Sequence, residues 1–402
     1  MATIDGPRDD TRPLPGTAFA DGVAIGDSSG MQSAAGPADG GDATQGAVLL
    51  VMAPYGDPPQ GGRAMLSATN HAILADLYGT RLSVFAPTGK RSAIGGILKG
   101  HIDGLDRQAI DALLADIDAR GVTRVILDGS NRGAAARAIK RRFPQVSIVT
   151  ILHNVEARFF LGAMRARPGP RALAVVIANT VAERAAVRHS DTLLCLSERD
   201  SAAMARLYGR KADAVLPIAL RDRPPREQDE IQSGATPPPY ALFVGGGFYA
   251  NRDGIRWFAR HVAPRLAIPT RVVGRGLDDL ATAFAGNAHV NIVGAVDDVG
   301  PWYRDARVVV APIFDGSGMK TKVAEALMYG KRVIGTPEAF SGYDPAIVAA
   351  GWLAPDADAF VLAIEAALAR DLPAFDPAMR ALYERFHSVA AARARLAAAL
   401  GV

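Results

Sequence analysis

The sequence predicts an α/β fold: two Rossmann-like, doubly wound domains facing one another across a cleft, with a disordered amino-terminal tail. Three observations carry that expectation. Apolar runs of strand length alternate with stretches of helical spacing from residue 47 onward, the pattern of β-α units in a parallel sheet. The alternation pauses once, at 221–240 (RDRPPREQDEIQSGATPPPY), and then restarts. Finally, 402 residues are too many for one ordinary core.

Residues 1–44 are rich in Gly, Ala, Asp, Ser and Pro without apolar period, and read as the disordered tail. A first domain is expected over 45–220. Its opening strand, 47–53 (AVLLVMA), is apolar throughout, as a strand buried on both faces must be. A Pro/Gly loop leads to a helix at 64–77 and a strand at 82–86. Helices at 107–119 and 134–142 alternate with strands at 124–127 and 146–152. The apolar run 172–178 suits a buried strand or helix. Residues 180–188 read as helix, 192–196 as strand and 201–208 as helix.

The charged, Pro-rich stretch 221–240 is the linker. A second domain is expected over 241–385, with strands at 241–244, 271–273, 289–293, 308–312 and 332–334. Helices are expected at 254–262, near 277–283 and at 319–329. Alanine-rich helical sequence follows from 357, ending in a helix at 386–402 that is expected to pack back on the first domain.

Composition bounds the class. Hydrophobic residues make up 49% and charged residues 21%, ordinary for a globular protein. No apolar run approaches the ~18 residues that cross a bilayer, and MATIDGPRDD has no basic-then-apolar signal pattern. The single cysteine, Cys195, fits a reducing compartment. The expected location is the cytoplasm, with the inner face of the membrane as a peripheral site. Net charge is +4, but residues 1–44 hold seven Asp and two Arg, leaving the remainder at +9. That balance suits phosphate or anionic lipid. Basic residues are not interleaved with aromatics in a stacking platform, which argues against nucleic acid.

The strongest chemical signal is Asp315-Gly-Ser-Gly-Met-Lys-Thr-Lys-Val-Ala-Glu325, after the strand VVVAPI and opening a helix. Gly316 and Gly318 let the backbone turn tightly and approach a ligand. N–H groups of a helix's first turn bind phosphate oxygens. Lys320 and Lys322 at a helix start oppose the macrodipole, a liability that a bound anion reverses. Glu325 can accept hydrogen bonds from both hydroxyls of a ribose. The plain alternative is a glycine N-cap followed by a solvated Lys322–Glu325 pair.

Other candidates are weaker. Gly246 and Gly247, in the run Gly245-Gly246-Gly247 after the strand ALFV, suit donor phosphates or a simple turn. The run is not G-x-G-x-x-G, so no NAD is implied. Gly61 and Gly62 stand in the loop after the first strand. His153 ends the strand VSIVTIL, the edge at which open α/β sheets bind ligands; a structural histidine is the alternative. Asn154, Glu156 and Arg158 could meet acceptor or phosphate, or merely cap and pair. Asp103 and Asp106 read as a helix start. His71, His101 and His189 lack metal-ligand spacing, and no metal or other cofactor is expected. Arg165, Arg167 and Arg171 with Phe159 and Phe160 could rest on anionic lipid; a solvated loop beside a core strand is the alternative.

From residue 240 to about 344 the chain resembles the carboxyl-terminal domain of GT-B glycosyltransferases of family 4 (glycosyl transferases group 1). The matching pieces are LFVGGGFYANRDGIRWF, RVVG and NIVGAVDDVGPWYRDARVVVAPIFDGSGMKTKVAEALMYGKRVIGT. QGGRAMLSATNHAILADLYG, TILHNVEARF and SDTLLCLSERDSAAMARLYG resemble earlier segments of the same family more loosely. The resemblance implies that the first domain takes the acceptor and the second a nucleoside-diphosphate sugar. Glu325 matches the second glutamate of the E-x7-E signature, which holds the ribose; Ser317 falls where the first glutamate stands. Gly318, Met319 and Lys320 would face the diphosphate, Gly274 and Val296–Asp297 the base, and His153 the donor sugar. The implied activity is metal-independent transfer, with retention, to a hydroxyl of a glycan or lipid-linked acceptor. A sugar-nucleotide epimerase and a catalytically silent sugar-nucleotide-binding protein are the alternatives.

Overall fold

The computed structural model describes residues 46–402 apart from 57, 58, 60, 90–95, 97, 98, 224–237 and 317. The expected tail, most of the expected linker and Ser317 therefore lie outside the described residues. Two six-stranded sheets, parallel throughout, organise the chain.

The first sheet has the order β2-β1-β3-β4-β5-β6. Its strands are β1 (Ala47–Val51), β2 (Leu82–Phe85), β3 (Val122–Asp128), β4 (Ser147–Ile151), β5 (Thr192–Cys195) and β6 (Ala214–Val215). Between them run α1 (Gly62–Tyr78), α2 (Arg107–Arg120), α3 (Gly133–Arg142), α4 (Glu156–Ala166), α5 (Pro170–His189) and α6 (Glu198–Tyr208). Alternate β1 residues enter opposite layers: Leu49 and Val51 pack in one core, Val48 and Leu50 in the other. That division is the reason the strand is apolar at every position.

The second sheet has the order β12-β11-β10-β7-β8-β9. Its strands are β7 (Ala241–Val244), β8 (Thr270–Val273), β9 (Val290–Gly294), β10 (Val308–Ala311), β11 (Val333–Gly335) and β12 (Trp352–Leu353). Its helices are α7 (Tyr249–His261), α8 (Asp278–Ala283), α9 (Gly300–Asp305), α10 (Thr321–Met328), α11 (Pro345–Ala350), α12 (Ala357–Ala369) and α13 (Pro377–Phe386). The last helix, α14 (Val389–Leu400), lays Ala392, Leu396 and Leu400 into the first sheet's core beside Val48 and Leu50.

The run 172–178 is helical and belongs to α5, so no core strand lies beside Arg171. Its apolar residues continue into the helical pattern of 180–188, and Pro170 opens the helix. The helix expected from Met319 begins at Thr321, with Lys320 as its N-cap residue.

Candidate functional site

In an open parallel sheet, ligands bind beyond the carboxyl ends of the strands where the strand order reverses. That point lies between β7 and β10 in the second sheet, and between β1 and β3 in the first. All three candidate glycine loops leave from these strands.

The loop after β7 packs on the loop after β8, backbone to backbone. Gly247 N–H donates to Arg275 O at 2.8 Å. A Cβ at Gly247 would collide with Gly276 O, and one at Gly274 with Gly245 O. Gly247 and Gly274 are thus committed to turn packing, whereas a Cβ at Gly246 would meet only Arg275 O, at 3.6 Å. Val296 is half-buried against the second core.

The loop after β10 turns on Gly316 (φ 125°) and Gly318 (φ 68°). Asp315 accepts from Gly316 N–H at 2.7 Å and from the Tyr249 hydroxyl at 3.0 Å. Lys320 folds back over the loop. Its Nζ donates to Gly318 O and to Glu338 Oε1, both at 2.9 Å. Glu338, three residues past β11, also accepts from Arg199 at the start of α6 in the first half. Burial lowers the Lys320 pKa, with Glu338 opposing the shift.

Lys322 has different surroundings. Its Nζ donates to the neutral Asn251 Oδ1 at 2.9 Å and sits 4.9 Å from the Phe243 ring centre. Burial first, and Lys320 second, bring its pKa down to about 7. Glu325 accepts from the Tyr303 hydroxyl at 3.1 Å, and Tyr303 stacks on Tyr329 with centroids 4.8 Å apart. Burial raises the Glu325 carboxyl. The solvated Lys322–Glu325 pair does not form, because each side chain has turned to another partner.

In the first half, Gly61 (φ 85°) caps α1 and has open space where a Cβ would stand. His153 lies just past β4, with Nε2 2.8 Å from Asp128 Oδ1. Its Nδ1 is buried without a hydrogen-bond partner. Asp128 ends β3 and also accepts from Ser67 and Asn70 of α1. Burial alone would raise its carboxyl, but His153, Arg132 and Ser67 hold it well below the usual range.

Arg132 is fully buried, with Nε and Nη2 unpartnered. Glu156 is also buried, and its carboxyl is raised to about 7 by burial, with Arg63 opposing. Asp103 binds Arg63 at 2.9 Å and contacts Asn131, more than the helix start expected of it; Asp106 does N-cap α2.

The two halves meet at these loops. A Cβ at Gly318 would collide with Asn154 Oδ1, and one at Gly62 would stand 3.5 Å from Thr321 Cγ2. Phe159 stacks on Phe248 at 5.4 Å. Met319 is buried, and a Cβ at Gly342 would stand 3.1 Å from its Cγ and 2.9 Å from Ser197 Cβ. One crevice therefore gathers Gly62, His153, Asn154, Gly318 and Lys320. Sequence reasoning missed Asp128, Glu338 and Asn251. The first two stand at or just past strand ends, the same signal that marked His153.

Residues 238–370, which contain the whole β7–α10 crevice wall, match the family of glycosyl transferases group 1. That stretch is a glycosyl transferases group 1 domain, and the chain as a whole has the GT-B fold. No curated protein matches it in sequence, but solved structures share its fold. Anabaena HepE in complex with UDP and glucose is 13% identical with a TM-score of 0.61, covering 89% of this chain and 100% of that one. A Rickettsia africae glycosyltransferase is also 13% identical, with a TM-score of 0.60, 89% of this chain and 99% of that one. The Burkholderia multivorans α,α-trehalose 6-phosphate synthase is 15% identical at a TM-score of 0.56, with 89% and 96% covered. Among the described residues, no helix is long and apolar enough to cross a membrane.

Proposed function

We propose that this glycosyltransferase moves a sugar from a nucleoside-diphosphate-sugar donor to a hydroxyl of a glycan or lipid-linked acceptor, in polysaccharide biosynthesis. The observation that carries the reading is the second sheet's switch point. There the glycine turn, the start of α10, the half-buried Lys320, the buried Lys322 and Glu325 follow one another within ten residues. HepE, whose fold is the same, has been captured with UDP and glucose.

The donor diphosphate lies against the loop 316–319 and the start of α10, and Glu325 takes the ribose hydroxyls. Lys320, Lys322 and the α10 N–H groups offset charge growing on the leaving diphosphate, as fixed donors stabilise an oxyanion. They do so without a metal. The acceptor enters from the first half, past His153 and Asn154, and the donor phosphate takes the acceptor's proton. Attack on the face the diphosphate leaves retains the anomeric configuration. A lipid-linked acceptor would bring Arg165, Arg167, Arg171 and the Phe159–Phe160 pair to an anionic membrane.

The test is transfer from UDP-, GDP- and ADP-sugars to a panel of glycan and lipid-linked acceptors, with and without chelator. Chelator-resistant transfer is expected, with product configuration read by NMR. Hydrolysis or rearrangement without an acceptor would point to the epimerase. Nucleotide binding with no turnover of any donor would leave only a binding protein.

A further inference from the structure

The helices α3 and α5 pack side by side on the first sheet, so closely that a Cβ at Gly133 would collide with Ala182 O. The carboxyl end of α3 at Arg142 leads into β4 at Ser147, and that of α5 at His189 into β5 at Thr192. Both helix ends therefore lie at the amino-terminal edge of the sheet, opposite the strand ends that carry the crevice. Between them is a cleft of about 360 Å³, lined by Arg137, Arg141, Arg184, Ala185, Arg188 and His189.

Among the described residues, no carboxylate lines this cleft. The nearest acids in sequence are engaged elsewhere: Glu183 points inward to Ser130 and Tyr208. Asp191 accepts from Lys140 and from Ile148 N–H. The field of the arginines is felt by His189, whose pKa is lowered by burial and then by Arg188, Arg137 and Arg141. Four like charges around one cleft repel one another unless a counter-charge enters. The planar guanidinium fork matches phosphate oxygens in pairs.

The same helix offers a second, independent observation. Leu173 and Ile177 are 50% and 40% exposed. At ~100° per residue they share with Arg184 and Arg188 a stripe about 60° wide and about 22 Å long. An apolar stripe continued by cations is the pattern of a helix lying on an anionic interface.

We propose that the α3–α5 cleft is a phosphate-binding site, separate from the donor crevice, that takes phosphate groups borne by lipid headgroups or by a free phosphorylated molecule. Two probes separate the sources: vesicles of 30% phosphatidylglycerol in phosphatidylcholine, composition set to about that of an anionic leaflet, and inorganic pyrophosphate. The variant is Arg141→Gln/Arg188→Gln, two exposed positions. If the headgroup is the ligand, vesicle binding weakens by about tenfold or more and pyrophosphate binding is unchanged. If a free phosphate is the ligand, the variant loses the pyrophosphate binding that calorimetry detects when the donor crevice is saturated with nucleoside diphosphate.

The proposal is overturned if the variant keeps the wild-type affinity for both probes, or if the wild type binds neither. Nucleotide diphosphate binding should be equal in the two proteins. That control keeps a failure here apart from a failure of the donor assignment.

Discussion

On the proposed function the two walls of the crevice would solve different recognition problems, and they are built from different materials. The second-half wall is built from backbone and a short contiguous run: the glycine turn, the start of α10, Lys320, Lys322 and Glu325. The first-half wall rests on buried polar groups drawn from α1, β3, α5 and the turns after β3 and β4: Ser67 and Asn70, Asp128, Glu183, Arg132 and His153. A nucleoside diphosphate always presents the same charges and hydroxyls, so one compact motif suffices to hold it. Acceptors vary, and a wall that supports loops on a buried network can change its loops without changing its frame.

The sharpest way to break this comparison is Glu325→Ala. If the contiguous motif holds the donor, losing charge-assisted bonds to the ribose should weaken nucleotide diphosphate binding by roughly 10- to 100-fold. The neighbouring Asp128→Asn change, in the other wall, should leave that affinity within about threefold while lowering transfer. Calorimetry and initial rates on both variants decide the matter. Equal losses of affinity would mean that the two walls do not divide the work.

The lysines sharpen it further. Lys320 already has Glu338 as a bonded counter-charge, whereas Lys322 bonds the neutral Asn251, lies by the Phe243 face and feels Glu325 only at longer range. With a pKa near 7, Lys322 is charged below that pH in the ligand-empty protein and neutral above it. A diphosphate must recharge it, so binding above pH 7 takes up a proton and weakens as pH rises. Lys322→Ala should weaken binding about tenfold at pH 6 and much less at pH 9, the weight of one charge-assisted contact. Lys320→Ala should also weaken binding, since it removes a cation and leaves the Glu338 carboxylate with Arg199 alone beside the anion. Titrations at both pH values in buffers of different ionisation enthalpy give the answer; an effect of Lys322→Ala independent of pH would count against the assignment.

These differences also explain what could be read in the chain. Strand alternation and the order of elements follow from local composition. Gly316 to Glu325 lie within ten residues and carry their chemistry in sequence. The Asp128–His153 bond joins residues 25 apart, Arg63–Asp103 joins residues 40 apart, and Arg199–Glu338 joins residues 139 apart. The first two become visible only when α1, β3 and β4 are brought together, and the third only when the start of α6 meets the loop after β11. The glycines at 247 and 274 looked like ligand cradles because a ligand and a neighbouring backbone impose the same demand for no Cβ. The apolar run 172–178 was ambiguous because seven apolar residues suit a buried strand as well as an exposed helix.

The smallest expected effect concerns the network itself. The Glu156 carboxyl is raised from 4.5 to about 7, chiefly by burial and with Glu183 adding to the rise. The folded state therefore holds a proton there that the unfolded chain has released, between about pH 4.5 and 7. Its contribution to stability is complete below pH 4.5 and is lost as pH rises through 7. Glu156→Gln carries a permanently neutral group of similar shape. It should match the wild type at pH 5 and exceed it at pH 8 by on the order of 1 kcal/mol, the size of an ordinary single-site change. Urea unfolding at the two pH values measures the difference. A gain of equal size at both would assign the effect to packing, and a loss at pH 8 would mean that the buried carboxylate is held by Arg63 strongly enough to outweigh its desolvation.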